Sequence, residues 1–266
     1  MNVYTVLMHG LGDQVSCHLH DRPSARPMAR MMAGFRNGTI DRIGVVANLE
    51  HRPNPAALEV FAALGIQSRS WEDVKGWTDA RELPPLDPDP FPARLPIVQP
   101  TVAVPRNFVL FNQLAGGVDR CLDDPSIYDA IKQATRLPIV KVGRTRPAVS
   151  IDPIPCDLDL TDKTTVPQSF WLAKHAACII APCSWMRNMT WGFGTPVIEL
   201  VQAGRVNQET MDRINAEYAR KAYGMCSLNF WCTWPNAKDD FIRALGACME
   251  RRKTDGPIPT SLWPTI

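Results

Sequence analysis

A chain of 266 residues, of which 45% are apolar, can form one large domain or two modest ones. Its formal charge of +2 does not indicate a nucleic-acid-binding protein, although it permits an anionic ligand or partner. Because no apolar run approaches the roughly 20 residues that span a bilayer, and the eight cysteines form no C-x-x-C pair, we expect a cytoplasmic protein with reduced thiols and no stable membrane insertion.

The first third of the chain alternates between strands and helices. Apolar runs predict strands at residues 3–8 and 43–49, and alanine-rich stretches predict helices at residues 24–35 and 55–64. A glycine-rich turn, residues 9–13, follows the first strand. Because helices join successive strands, this order predicts an α/β fold in which helices pack against a parallel sheet.

A proline-rich segment separates the two halves of the chain. Residues 84–105 contain eight prolines, which remove backbone donors and hold the chain extended. We therefore predict an N-terminal domain at 1–83, a linker at 84–105, a C-terminal domain at 106–205, and helices at 206–266 that pack back across the domains.

The second half repeats the alternation of strands and helices. Its predicted strands are residues 108–112, 138–143, 177–181 and 197–200. Its predicted helices are residues 126–135, 166–177, 185–193, 207–223 and 237–252. Residues 229–235, NFWCTWP, are predicted as a turn between the last two helices. Two α/β halves would leave a cleft at the carboxyl ends of both sheets, where backbone N–H groups favour anionic ligands such as diphosphates.

Several short motifs of the chain resemble one family of enzymes. They are the turn Gly10-Leu11-Gly12-Asp13, the segment Asp159-Leu160-Thr161, a serine-containing loop between a strand and a helix, and a G-x-P sequence at residues 194–196. Over the first 20 residues and residues 105–200, they resemble the heptosyltransferase-like GT-B glycosyltransferases. The resemblance implies a compact GT-B-like α/β fold, in which the parallel sheets of two Rossmann-like domains face a central cleft. The N-terminal domain would bind the acceptor and the C-terminal domain the nucleotide-sugar.

The same resemblance implies roles for individual residues. Asp13, in the turn formed by Gly10 and Gly12, would be the general base that takes the proton of the acceptor hydroxyl. Lys141, at the end of a predicted strand, would contact the phosphates of the sugar donor together with Arg144.

The sugar-donor loop departs from the family's pattern D-[ST]-G-x-x-H. The corresponding residues are Cys183-Ser184-Trp185-Met186-Arg187-Asn188, so that only the serine is kept. A tryptophan in place of the glycine leaves less space for a ligand beside the backbone. The residues of this loop that are predicted to bind the sugar donor are Ser184, Trp185, Arg187 and Asn188.

Other residues admit more than one interpretation. Asp13 is either the base or the cap of the next helix. Glu199, inside an apolar strand, either binds a ribose diol of the sugar donor or accepts a hydrogen bond from a backbone amide or an arginine. His18 and His20 contact an acceptor, face solvent or bind zinc; because no second ligand cluster accompanies them, we predict no metal site. The eight tryptophans either stack on a sugar or a base, or fill the core.

The residues and the resemblance together predict a glycosyltransferase that moves a sugar from a nucleotide-sugar, its co-substrate, to a hydroxyl acceptor. No cofactor is expected, because cationic side chains and a helix N-terminus can stabilise the leaving diphosphate in place of a divalent ion. The acceptor is either a saccharide or a hydroxymethylated pyrimidine in DNA, which the enzyme would have to flip out. The alternative is a non-catalytic nucleotide- or carbohydrate-binding protein of the same fold, which the altered loop favours.

Overall fold

The fold consists of two compact units, residues 1–98 and residues 99–266. The computed structural model describes residues 1–7, 30–31, 34–35, 37–47, 55–63, 65–83, 96–115, 120–145, 150–182, 184–188, 193, 195–204, 209 and 229–254. In the described residues each unit has a sheet of its own, and the paired strands of both sheets are parallel. The predicted α/β fold class with parallel sheets is therefore confirmed.

The first unit is built on a four-stranded sheet. Its strands are β1 (Asn2–Leu7), β2 (Arg42–Ala47), β3 (Gln67–Arg69) and β4 (Thr78–Asp79), in the order β3-β2-β1-β4. Helix α1 (Pro55–Ala63) joins β2 to β3. Because side chains alternate between the faces of a strand, Val3, Ile43 and Val45 point to one face, where they form an apolar core with Phe61 of α1.

The second unit is built on a six-stranded sheet with the order β10-β9-β8-β5-β6-β7. Its strands are β5 (Val109–Phe111), β6 (Ile139–Lys141), β7 (Leu158–Asp159), β8 (Cys178–Ala181), β9 (Val197–Gln202) and β10 (Asn229–Trp234). Its helices are α2 (Ser126–Ala134), α3 (Val166–His175) and α4 (Lys238–Thr254). Strands β5, β6 and β8 are buried along their whole length, which is typical of the interior of a parallel sheet.

The start of α3 shows how local sequence sets an element of this unit. Thr165 accepts a hydrogen bond from the backbone N–H of Gln168 at 3.3 Å, and the side chain of Gln168 accepts one from the Thr165 N–H at 2.8 Å. This reciprocal capping box and Pro167 in the first turn fix the start of α3 at Val166. The helix then carries Phe170 into the core.

The prediction of a turn at residues 229–235 is wrong. Asn229–Trp234 form β10, which pairs in parallel with β9 over six residues. The segment NFWCTW consists mostly of aromatic and other residues that favour a strand, and Trp234 is completely buried. Pro235 stands directly after the strand, where no ladder donor is needed.

Other elements differ in extent from the prediction. Within the predicted helix 185–193, Trp185–Asn188 form a 3-10 turn. The short strands β3, β4 and β7 were not predicted, because two or three residues give no periodicity. Most of the predicted helices 24–35 and 207–223 lies outside the described residues. In the described part of the chain, no helix has the length and apolar character needed to cross a bilayer.

Candidate functional site

The strand order of the second unit creates a switch point between β5 and β8. From β5 the chain moves outward through β6 to β7, and from β8 it moves in the opposite direction through β9 to β10. This is the strand order of Rossmann sheets, in which ligands bind in the crevice outside the carboxyl ends of the two diverging strands. The crevice of this unit is bordered by residues 112–115 after β5, and by residues 182 and 184–188 after β8.

Two buried polar residues close the carboxyl end of β5. Asn112 is 2% exposed, and its Oδ1 accepts a hydrogen bond from the backbone N–H of Leu114 at 3.0 Å. Gln113 is 5% exposed, and its amide donates to the carbonyls of Leu122 and Asp152 at 3.1 and 2.8 Å. Because both side chains bind backbone, they hold the loops at this edge in one arrangement.

Gly143 brings the loop after β6 against the loop after β5. Its φ is 152°, and a Cβ atom at this position would lie 3.1 Å from Oδ1 of Asn112 and 3.3 Å from Cδ1 of Leu114. Glycine adopts this conformation without strain and leaves the neighbouring loop undisplaced, whereas a side chain would be strained and would press on both atoms.

Replacing Gly143 with alanine is expected to lower the free energy of unfolding by about 1–3 kcal/mol, because the new Cβ is strained at this φ and displaces Asn112 or Leu114. Equilibrium unfolding in urea measures the loss. Gly65→Ala is the matched control, since Gly65 has a φ of 76° but open space around its Cβ position. Equal losses in the two variants would contradict the close approach as the cause.

Lys141 ends β6 inside the protein and is engaged by a carboxylate. Its side chain is 7% exposed, and its Nζ lies 2.7 Å from Oδ2 of Asp159 and 3.4 Å from the carbonyl oxygen of Ile154. Burial raises the pKa of the Asp159 carboxyl, but hydrogen bonds from Lys141 and Thr161 outweigh burial and hold that pKa below its usual value. The positive charge of Lys141 is therefore partly balanced at this edge.

The loop after β6 is anchored to residues after β7. The carboxylate of Asp162 accepts hydrogen bonds from the backbone N–H and the hydroxyl of Thr145, at 3.0 and 2.6 Å. The N–H of Asp162 donates to the carbonyl of Gly143 at 2.9 Å, and its φ of 59° is one that aspartate tolerates. These three bonds fix the backbone on both sides of Arg144, which is exposed.

Ser184 directly precedes the 3-10 turn after β8. Its Oγ accepts a hydrogen bond from the backbone N–H of Met186 at 3.4 Å, in the manner of a helix cap. Trp185 is half-buried, and its ring meets that of Phe170 edge-on with the centroids 5.4 Å apart. The indole is therefore packed against α3 at the border of the crevice. Arg187 and Asn188 contribute backbone to the turn, and their side chains lie outside the described part.

Glu199 lies inside the sheet, level with the end of β8. It is 1% exposed and stands opposite Ala181, the last residue of β8, in the strand register. Because β9 continues to Gln202, Glu199 precedes the end of its own strand by three residues. Its side chain is thus buried level with the last residue of β8.

The structure brings together the described residues that were predicted to bind the sugar donor. Lys141, Arg144, Ser184 and Trp185 lie at or shortly after the carboxyl ends of β6 and β8, and Glu199 lies inside the sheet, level with the end of β8. The predicted base, glycine turn and acceptor residues, Asp13, Gly10, Gly12, His18 and His20, lie outside the described residues. Within the described ranges, no group of three or more histidine, cysteine, aspartate or glutamate side chains could hold a metal ion.

Four polar residues at this edge had no predicted role: Asn112, Gln113, Asp159 and Asp162. Each of them ends a strand or closely follows one. Their position at or just after a strand could have indicated that they lie at the site, because the carboxyl ends of parallel strands meet at one edge of a sheet.

Known proteins similar to this chain were found among solved structures. No family model matches the sequence, and no curated protein matches it. The bacterial iron-containing dodecameric glycosyltransferase TibC from enterotoxigenic E. coli H10407 has a TM-score of 0.49 and 13% sequence identity, with coverage of 75% of this chain and 57% of TibC. This chain thus spans 57% of the length of TibC.

Two further solved structures are similar along most of the chain. E. coli ADP-heptose LPS heptosyltransferase II has a TM-score of 0.49 and 12% identity, and the match covers 95% of this chain and 100% of that protein. The glycosyl transferase family 9 protein of Veillonella parvula DSM 2008 has a TM-score of 0.43 and 10% identity, with coverage of 94% and 97%. The solved structures similar to this chain thus include heptosyltransferases, the group that its sequence motifs resemble.

Proposed function

We propose that the chain is a glycosyltransferase whose nucleotide-sugar binds in the crevice between β5 and β8. The observation that carries this proposal is the sheet order β10-β9-β8-β5-β6-β7. In sheets with this order nucleotides bind in the crevice at the switch point, and here the serine-containing loop borders that crevice. Because neighbouring strands lie about 4.8 Å apart, the ends of β6 and β8 are separated by roughly 10 Å across β5. That distance suits a diphosphate and the groups attached to it.

The departing diphosphate needs hydrogen-bond donors and positive charge. Arg144 is exposed and its backbone is anchored on both sides, so that it suits a direct contact with phosphate. The backbone N–H groups of the turn that follows Ser184 supply further donors. Lys141, paired with Asp159, mainly holds the end of β6 to β7, and its charge adds to the field at the crevice.

We assign the acceptor proton to Asp13 and expect transfer without a divalent ion, and both assignments rest on the sequence resemblance. Asp13 follows β1 in sequence within a glycine-rich segment, and a carboxylate can accept the proton of an acceptor hydroxyl. A saccharide is favoured over DNA as the acceptor, because a formal charge of +2 provides little attraction for a phosphate backbone.

A non-catalytic binding protein is the second candidate. The loop at residues 183–188 keeps only the serine of the family's pattern, and the packing of Trp185 against Phe170 fills space that glycine would leave open. Such a protein would keep the crevice and bind a nucleotide or a carbohydrate, but would transfer nothing.

A thermal-shift screen against ADP, UDP and GDP and their sugars tests the proposed crevice. A ligand present at 100 times its dissociation constant stabilises the fold by about 2.7 kcal/mol, which raises the unfolding midpoint by several degrees. We expect one nucleotide-sugar to produce this shift, and Arg144→Gln to reduce it.

Arg136→Gln is the matched control for the thermal-shift screen. Arg136 is equally exposed but precedes β6, at the opposite end of the strand from Arg144. Its replacement should leave the shift unchanged. Absence of a shift with every nucleotide and nucleotide-sugar, or equal losses in the two arginine variants, would contradict binding at the carboxyl edge.

A further inference from the structure

An aromatic surface on the first unit contains none of the residues to which the proposed transfer reaction assigns a role. Trp71 is 56% exposed, the largest exposed fraction of any large apolar side chain in the described residues. Its ring meets that of Tyr4 edge-on, with the centroids 5.9 Å apart and the planes at 75°. The indole therefore presents aromatic surface to solvent directly beside a second aromatic ring.

A polar pair with a fixed geometry, Asp79 and Arg81, lies beside Tyr4. Tyr4 stands opposite Asp79 in the register of β1 and β4, and the two side chains share a hydrogen bond. Nε of Arg81 lies 3.0 Å from each carboxylate oxygen of Asp79, and Nη2 lies 2.6 Å from Oδ2. The Arg81 side chain is nevertheless 75% exposed, so that N–H groups on the other edge of the guanidinium point outward.

The segment that carries the exposed indole is held in place. The carboxylate of Asp73 accepts hydrogen bonds from the backbone N–H and the hydroxyl of Ser70, at 2.9 and 2.8 Å. Under the segment, a Cβ atom on Gly44 would lie 3.1 Å from side-chain atoms of Val74 and Trp77, which shows that the segment packs directly on β2. A surface that is already ordered loses little conformational entropy when it binds a ligand.

The charges around this surface favour a neutral ligand. Residues 69–82 carry three cationic side chains and four carboxylates, so that they give no net attraction for a phosphate backbone. A sugar ring is neutral, and its C–H groups pack against the electron-rich face of an indole. Its neighbouring hydroxyl groups can accept two parallel hydrogen bonds from the edge of a guanidinium.

We propose that Trp71, Tyr4 and Arg81 form a binding site for a neutral saccharide. The ring of Trp71 packs against a face of the sugar, Tyr4 supports that ring, and Arg81 donates hydrogen bonds to the hydroxyl groups. The site lies in the first unit and uses none of the residues assigned to the nucleotide-sugar. It binds saccharide without a nucleotide and does not depend on the proposed transfer.

Calorimetric titration and saturation-transfer NMR of the full chain test the site, with cellohexaose, maltohexaose and chitohexaose as probes and no nucleotide present. We expect at least one of them to bind, and Trp71→Ala to weaken that binding about tenfold. Arg81→Lys keeps the charge but loses the planar fork, and should weaken binding about threefold. Trp171→Ala, which alters a half-buried tryptophan of the second unit, should leave the affinity unchanged.

Several results would overturn the proposal. These are failure of all three saccharides to bind at millimolar concentration in a protein with a normal unfolding transition, and saccharide binding that Trp71→Ala leaves intact. Binding of an oligo-dT that requires Trp71 and falls steeply with salt would assign the surface to single-stranded nucleic acid. Because these measurements contain no nucleotide-sugar, their outcome and that of a transfer assay are independent.

Discussion

Replacing Trp234 with alanine is expected to lower the free energy of unfolding by about 3–5 kcal/mol, the range for loss of a buried aromatic side chain. Trp234 is completely buried, and its ring meets Phe241 of α4 edge-on with the centroids 5.6 Å apart. Its Nε1 donates a hydrogen bond to Oδ2 of Asp124 at 2.8 Å, across 110 residues of sequence. The substitution therefore removes a packing contact between β10 and α4 and also the hydrogen bond to Asp124, which precedes α2.

Chemical unfolding followed by circular dichroism measures this effect. Trp234→Phe keeps an aromatic ring but removes the N–H group, so it should cost less, about 1–2 kcal/mol. Trp171→Ala should also cost less, because Trp171 is only half-buried and stacks on His175 at the end of α3. A loss for Trp234→Ala no larger than the loss for Trp171→Ala would contradict the position of β10 within the sheet.

The central elements of both sheets could be predicted because their signals are local. Strands β1, β2, β5, β6, β8 and β9 are apolar runs between clear turn residues, and α3 begins with a capping box. Strands β3, β4 and β7 have two or three residues each, and exist because a longer neighbouring strand offers hydrogen bonds. Pairing with β9, which precedes it by more than 25 residues in sequence, also explains β10, which was predicted as a turn between two helices.

The candidate site was predictable at the level of strand ends, but its contacts were not. Lys141 and Ser184 follow or end buried strands, which predicted their common location at one edge. The partner of Lys141 is Asp159, which stands opposite it on β7. Because β6 and β7 pair in this register, the buried ammonium group of Lys141 forms an ion pair. Gln113 likewise contacts residues 122 and 152, which only the folded chain brings near it.

Replacing Asp13 with asparagine is expected to reduce glycosyl transfer by about 10²- to 10⁴-fold, the contribution of a general base. Asparagine has nearly the size of aspartate but cannot accept the proton of the acceptor hydroxyl. Binding of the nucleotide-sugar should be unchanged, because its proposed ligands belong to the second unit. Release of nucleoside diphosphate in the presence of a saccharide pool measures transfer, and the thermal shift measures binding.

Arg144→Gln should show the opposite pattern to Asp13→Asn, with a reduced thermal shift and a transfer rate that recovers when the nucleotide-sugar concentration is raised. Asp129→Asn, an exposed carboxylate on α2, should alter neither quantity. If Asp13→Asn retained more than about a tenth of the transfer rate, Asp13 would not be the base, because loss of a general base costs more than this. If the unaltered chain bound a nucleotide-sugar and transferred to no saccharide, the crevice would belong to a non-catalytic binding protein.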